Sequence, residues 1–130
     1  MMMLSITPLY AGLLTIVFLA LSVAVIKQRV AVDKAGDGSD ETALNKSMRV
    51  QANFVEYVPL GVILMLCAEL QGAPNLAVHA MGATLLIGRI CHGIGMSQTP
   101  QITALRASGF LLTALMLVLS SLAVLGHALF

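Results

Sequence analysis

Charged residues are scarce in this sequence: Asp, Glu, Lys and Arg together make up 10% of its 130 residues. Soluble domains carry roughly 25%. Hydrophobic residues make up 58%, so too little polar surface remains to cover a folded chain in water. The formal net charge of +1 gives no basis for binding nucleic acid or an acidic partner. The composition therefore predicts an integral membrane protein whose surface is covered by lipid.

Cysteine is also scarce. The two cysteines, Cys67 and Cys91, lie in apolar stretches and show neither a CxxC pair nor the spacing of a metal site. We expect both to fill apolar positions, and we expect no metal.

The apolar stretches are continuous rather than alternating, which favours membrane-spanning helices over a barrel. About 20 helical residues cross the ~30 Å hydrocarbon core. We predict one domain, 1–130, with four spans at about 7–27, 44–71, 75–93 and 101–128. A polar loop is expected at 32–43, and Thr99 is expected to cap a fourth helix that starts at Pro100. Short connections imply antiparallel neighbours, so the predicted fold is an all-α, up-down bundle of four transmembrane helices.

Basic residues predict the orientation of the chain in the membrane. All of them lie in or beside the first and third loops: Lys27, Arg29, Lys34, Lys46, Arg49, Arg89 and Arg106. By the positive-inside rule these two loops are cytoplasmic and both termini lie outside. We expect a multi-pass protein of a cell membrane, in particular a bacterial inner membrane.

A carboxylate inside the second apolar stretch is the most informative residue. Glu56 shares one helix face with Arg49 and Asn53, since the three fall within roughly 60° of arc. One interpretation is a structural network in which Arg49 neutralises Glu56. The other is a polar pocket for a charged ligand. The three remaining helices each bring an arginine to the same level, namely Arg29, Arg89 and Arg106. This excess of cations favours an anionic ligand. The alternative is that these arginines, which lie near helix ends, reach lipid phosphates.

The run Arg49-Val-Gln-Ala-Asn53-Phe-Val-Glu56-Tyr57-Val-Pro59 resembles the signature of the MAPEG family, the membrane-associated proteins of eicosanoid and glutathione metabolism. Chain length, four spans and a polar first loop agree with this resemblance over essentially the whole chain. The resemblance implies a homotrimer with three sites between neighbouring subunits. Each site would hold glutathione, the co-substrate, in a bent shape.

The resemblance also implies roles for individual residues. Arg49 and other arginines would clamp the two carboxylates of glutathione, Glu56 would take its ammonium group, and Asn53 and Tyr57 would supply hydrogen bonds. The residues expected to bind glutathione are Arg29, Arg49, Asn53, Glu56, Tyr57, Arg89 and His92.

Catalysis in such a site requires a thiolate, and a nearby guanidinium lowers the pKa of a thiol. The thiolate-stabilising arginine of the family lies near the start of the fourth helix, so Arg106 is the candidate for that role and Arg29 is the reserve. This chain has His92 and Met96 where eicosanoid-synthesising members place tyrosines.

The function implied by the resemblance is a glutathione transferase or peroxidase that acts on small lipophilic substrates at the membrane. A second hypothesis is a non-catalytic scaffold or lipid-binding member that kept the pocket. A third is a small four-span transporter of the multidrug type, but such transporters usually need an acid deep in the first span, and this first span has none.

Overall fold

A computed structural model describes residues 4–130 as four helices: α1 (Ile6–Ala35), α2 (Thr42–Leu70), α3 (Asn75–Ser97) and α4 (Thr103–Leu129). All four are long and apolar enough to cross a membrane. The predicted fold class, an all-α bundle of four transmembrane helices, is confirmed.

The helices are not arranged as a closed square. α3 packs most extensively against α4, and α1 against α2, while α2 also contacts α3 and α4. Within residues 4–130, α1 and α4 do not touch each other. The chain therefore has two distinct sides, one formed by α1 and one formed by α4, with α2 and α3 between them.

Two helix ends differ from the prediction. α1 continues beyond residue 27 to Ala35, since the charged residues after the apolar stretch are compatible with a helix in water, and the chain turns only at Gly36 and Gly38, whose φ angles are 81° and 80°. The prediction that Thr99 caps a helix starting at Pro100 is wrong. α4 begins at Thr103, the Thr99–Pro100 peptide bond is cis, and the Thr99 hydroxyl accepts a hydrogen bond from Lys46.

Close contact between α3 and α4 depends on glycine. A Cβ added at Gly95 would lie 2.5 Å from the backbone nitrogen of Arg106. A Cβ added at Gly109 would lie 2.5 Å from the carbonyl oxygen of Gly88 and would also collide with the backbone nitrogen of His92. The two backbones therefore approach as closely as small residues allow, a common arrangement between membrane helices.

The first turn of α1 is capped by a residue of another helix. The Glu69 carboxylate accepts hydrogen bonds from the backbone N–H groups of Ser5 (2.9 Å), Ile6 (2.9 Å) and Thr7 (2.7 Å). Ser5, the N-cap residue, makes no side-chain cap bond of its own. This cap holds the start of α1 against the end of α2, so the two helices run antiparallel.

Candidate functional site

The three residues of α2 that share a helix face have different surroundings. Arg49 and Glu56 are exposed, whereas Asn53 is half-buried and its side chain bonds to α3. Arg49 and Glu56 lie two helical turns, about 10 Å, apart along the axis, and the hydrogen bonds found among residues 4–130 do not join them. The interpretation in which Arg49 neutralises Glu56 within one chain therefore finds no support in the structure.

Glu56 lies at the centre of α2, beside apolar residues that are also exposed. Its exposed neighbours include Val55, Leu60 and Ile63, which are 48%, 55% and 53% exposed. Counting about 20 residues for the hydrocarbon core back from Leu70 places Glu56 about 9 Å inside the apolar layer. A carboxylate facing lipid tails at that depth costs several kcal/mol. A carboxylate at this depth is normally paired with a polar group or faces a water-filled cavity, so Glu56 is a candidate site residue.

A cationic pocket lies where α2 begins, α3 ends and α4 begins, which we call the basic end of the bundle. Its volume is about 380 Å³, and Lys46, Arg49 and Arg106 line it together with Gln101, Thr42, Asn45 and Met96. The Gln101 side-chain oxygen accepts a 2.6 Å hydrogen bond from Arg106. Among residues 4–130, three cations and no acid line the pocket, so its charge suits an anionic ligand.

Arg29 lies in a different pocket, between α1 and α2. This pocket is about 350 Å³ and is lined by Arg29, Asp33, Gln51 and Ser22, together with apolar residues. Gln51 donates a 2.7 Å hydrogen bond to the Ser22 hydroxyl. Since α1 and α4 do not touch, one chain does not bring Arg29 and Arg106 together.

Arg89 is not at the surface of the basic end, where the sequence placed it beside the other arginines. It is 2% exposed and lies between three helices. Its Nη1 donates to Asn53 Oδ1 and its Nε donates to Thr113 Oγ1, each over 2.8 Å. The guanidinium carbon lies 5.4 Å from the centre of the Tyr57 ring, within the range of a cation–π interaction. The structure thus joins Arg89, Asn53 and Tyr57 but separates Arg89 from Arg29.

His92 is also buried, at 7% exposed. Its Nδ1 lies 3.0 Å from the carbonyl oxygen of Arg106. Because a carbonyl only accepts, Nδ1 carries the proton and donates. His92 therefore ties the last turns of α3 to the first turn of α4 and fixes the backbone that carries Arg106.

Two polar residues of this region were missed in the sequence. Thr113 holds Arg89, and Gln51 lines the Arg29 pocket. Thr113 follows Arg106 by seven residues, so the two share a face of α4, but nothing in an apolar sequence indicates that this face meets a buried arginine. Gln51 lies inside the motif, between Arg49 and Asn53, yet turns toward α1 instead.

The family assignment agrees with this geometry. The family model described as MAPEG matches residues 7–126. The chain belongs to the MAPEG family. The match extends from the first turn of α1 to the last turn of α4 and includes every candidate site residue, and the resemblance noted in the sequence is confirmed.

Curated relatives in the MAPEG family come from Escherichia coli. The chain is 36% identical to the inner membrane protein YecN of strain K12 over 91 residues, which is 69% of each chain. It has the same identity and coverage to inner membrane protein YecN of strain O6:H1 (CFT073). No solved structure matches the chain. A MAPEG chain with four apolar helices and inner membrane relatives is a multi-pass membrane protein.

Proposed function

We propose that this MAPEG protein is a membrane glutathione transferase or peroxidase, and that it binds glutathione near the cytoplasmic face between the subunits of a homotrimer. The observation that supports this most strongly is the division of the polar residues between two sides of one chain. Arg49 and Arg106 line a pocket on one side, and Arg29 lines a pocket on the other.

A closed ring of subunits explains that division. In a cyclic assembly the side formed by α1 in one subunit faces the side formed by α4 in the next. Such contact brings the Arg29 and Gln51 pocket toward the Arg49 and Arg106 pocket. It also covers Glu56, whose exposure in a single chain is unfavourable in lipid.

Glutathione fits the charges of the combined site. It carries two carboxylates, one ammonium group and one thiol. Arg49 and Lys46 supply cations for the carboxylates, and Glu56 supplies the only carboxylate of the motif for the ammonium group. Asn53 and Tyr57 supply hydrogen bonds to the peptide part. Arg89 contacts both residues from the interior, and His92 holds the backbone that carries Arg106.

Catalysis needs a thiolate held near a cation. Arg106 stabilises the thiolate electrostatically, with Arg29 as the second candidate, because arginine stays protonated and does not act as a base at neutral pH. The thiol proton leaves to water. The sulfur then forms a bond to an electrophilic carbon, and the leaving group departs with its electron pair. With a lipid hydroperoxide, two molecules of glutathione reduce the O–O bond and yield an alcohol, water and glutathione disulfide.

A lipophilic substrate has a place beside this site. An apolar groove of about 490 Å³ lies between α1 and α2, and its walls include Leu14, Phe18, Phe54 and Val58. The same faces of α1 and α2 continue into the Arg29 pocket. A hydrophobic molecule in the membrane can thus lie in the groove with its reactive end toward the polar site.

The orientation follows from the charges. The basic end carries the first and third loops, so we place it in the cytoplasm and both termini outside. Glutathione would then reach the site from the cytoplasm, and the lipophilic substrate from the bilayer.

A non-catalytic MAPEG-like scaffold or lipid-binding protein is the second candidate. The position of His92 favours it. His92 is buried against the Arg106 carbonyl and presents no hydroxyl to a ligand, in contrast to the tyrosine of the eicosanoid-synthesising members. Such a protein would keep the pocket without turnover.

Calorimetric titration of glutathione into the detergent-purified protein tests the proposal. We expect binding in the millimolar range or tighter, and a loss of at least about tenfold in Arg49→Ala and Glu56→Gln. Lys27→Ala, which removes an exposed cation outside both pockets, is the matched control. The absence of binding at millimolar glutathione would contradict the proposal.

A conjugation assay with a chlorinated nitrobenzene then separates the two candidate functions, since glutathione binding without turnover supports the scaffold.

A further inference from the structure

Arg89 joins three helices through hydrogen bonds whose direction is unambiguous. A guanidinium only donates. Its Nε–H donates to the Thr113 hydroxyl oxygen and its Nη1–H donates to Asn53 Oδ1. The Thr113 hydroxyl in turn donates to the Gly109 carbonyl oxygen over 3.0 Å. Every hydrogen along this path from α4 through α3 to α2 therefore has a defined place.

The path fixes which way the Asn53 amide faces. Amide oxygen and nitrogen are similar in size and are interchangeable in many surroundings. At Asn53 a flip would set the NH₂ group against the Arg89 guanidinium, so that two donors faced each other. Only the oxygen can point to Arg89. The Nδ2 hydrogens therefore do not bond to Arg89 and remain available to another acceptor. Helix spacing places Asn53 on the α2 face that carries Arg49 and Glu56.

We propose that Arg89 is a positioning residue that fixes the Asn53 amide so that its NH₂ group donates to a carbonyl or carboxylate oxygen of the bound ligand. This inference rests on the proposed function and makes it more specific. It assigns to Arg89 a role through Asn53 in place of a direct contact with glutathione, and it excludes a ligand donor group at this point of the site.

The surroundings of Arg89 agree with that role. The residue is 2% exposed, and the Tyr57 ring lies against its guanidinium. Its third nitrogen, Nη2, is buried and has no hydrogen-bond partner among residues 4–130. Lysine could not substitute, because a single ammonium group cannot reproduce the planar fork that reaches Asn53 and Thr113 in different directions.

Asn53→Asp gives the sharpest test in the full-length protein in detergent. Aspartate keeps an oxygen for Arg89 and adds an ion pair, so we expect an unchanged or raised melting temperature. It also replaces the donor that faces the ligand with an anion, so we expect glutathione affinity to fall by about tenfold or more. A merely structural Asn53 would leave the affinity unchanged, and that result overturns the inference.

Thr113→Val tests the other end of the path. It removes the oxygen that holds Arg89 Nε at nearly constant side-chain volume, and Thr113 is fully buried, so the change is not made at the surface of the site. We expect glutathione affinity to fall about threefold to tenfold in a protein that still folds. Thr84→Val, a half-buried threonine of α3, is the matched control and should bind as the wild type does. Equal affinities in both valine variants overturn the inference.

The melting temperatures separate this inference from the proposed function. If the wild-type protein binds no glutathione, the proposed function falls, and the assignment of a ligand oxygen falls with it. The hydrogen-bond path is still decided by stability, because Asn53→Asp should melt no lower than wild type and Asn53→Leu should melt lower. A lowered melting temperature in Asn53→Asp overturns the path itself.

Discussion

Glu69→Ala should destabilise the bundle even though Glu69 lies at the opposite end from the candidate site. Its carboxylate accepts hydrogen bonds from three backbone N–H groups at the start of α1. Losing a helix cap costs about 1 kcal/mol and up to about 2. Losing the attraction between an anion and the positive end of the helix adds about 0.3–1 kcal/mol. Since Ser5 is exposed and water can replace part of the cap, we expect a net loss of about 2 kcal/mol in the free energy of unfolding.

The assay is reversible unfolding by SDS in mixed micelles, followed by far-UV circular dichroism. Glu69→Gln, which keeps one acceptor oxygen without the charge, should lose about half as much. Glu41→Ala is the control, because Glu41 is exposed at the start of α2 and its side chain makes no cap bond. If Glu69→Ala unfolds within about 0.5 kcal/mol of the wild type, the reasoning about this cap is refuted.

Two further predictions concern contacts that shape the basic end. Gly109→Ala should lower the melting temperature strongly, because the added methyl collides with the α3 backbone at His92. The control is Gly126→Ala, which has open space around it and should melt as the wild type does. Similar melting temperatures in both variants would count against close α3–α4 packing. Lys46→Ala removes the hydrogen bonds that hold Gln98 and Thr99. Limited proteolysis should therefore cut the third loop faster in this variant than in the control variant Lys34→Ala. Equal cleavage rates would contradict a role for Lys46 in ordering that loop.

The four helices could be predicted from the sequence because their signal is strong. About 20 consecutive apolar residues cannot be accommodated in water, and the turn at Gly72 ends α2 by simple backbone chemistry. The end of α1 could not be placed as well. Charged residues after the apolar stretch end the membrane span but not the helix, so α1 continues into the aqueous loop region.

The positions of the arginines were less predictable than their helices. Sequence spacing assigns residues to a face, but in a membrane helix that is apolar on all sides it does not tell which face meets a neighbouring helix. The sequence places both Arg49 and Arg89 near helix ends, yet Arg49 is exposed and Arg89 is only 2% exposed. The difference depends on Asn53 and Thr113, which come from other helices and accept the Arg89 hydrogens.

A mixed-oligomer binding experiment tests most directly whether the site is shared between subunits. Arg29→Ala and Arg49→Ala alter pockets on opposite sides of the chain, so each variant alone should bind little glutathione. When the two variants are co-expressed at equal levels, half of the subunits keep an intact Arg29 pocket and the other half keep an intact Arg49 pocket. Each site needs one pocket of each kind from two neighbouring subunits, so random assembly leaves about one quarter of the sites with both pockets intact. We predict recovery of about one quarter of wild-type glutathione binding. If the mixed protein binds no more than the single variants, the site does not lie between subunits and the account is contradicted.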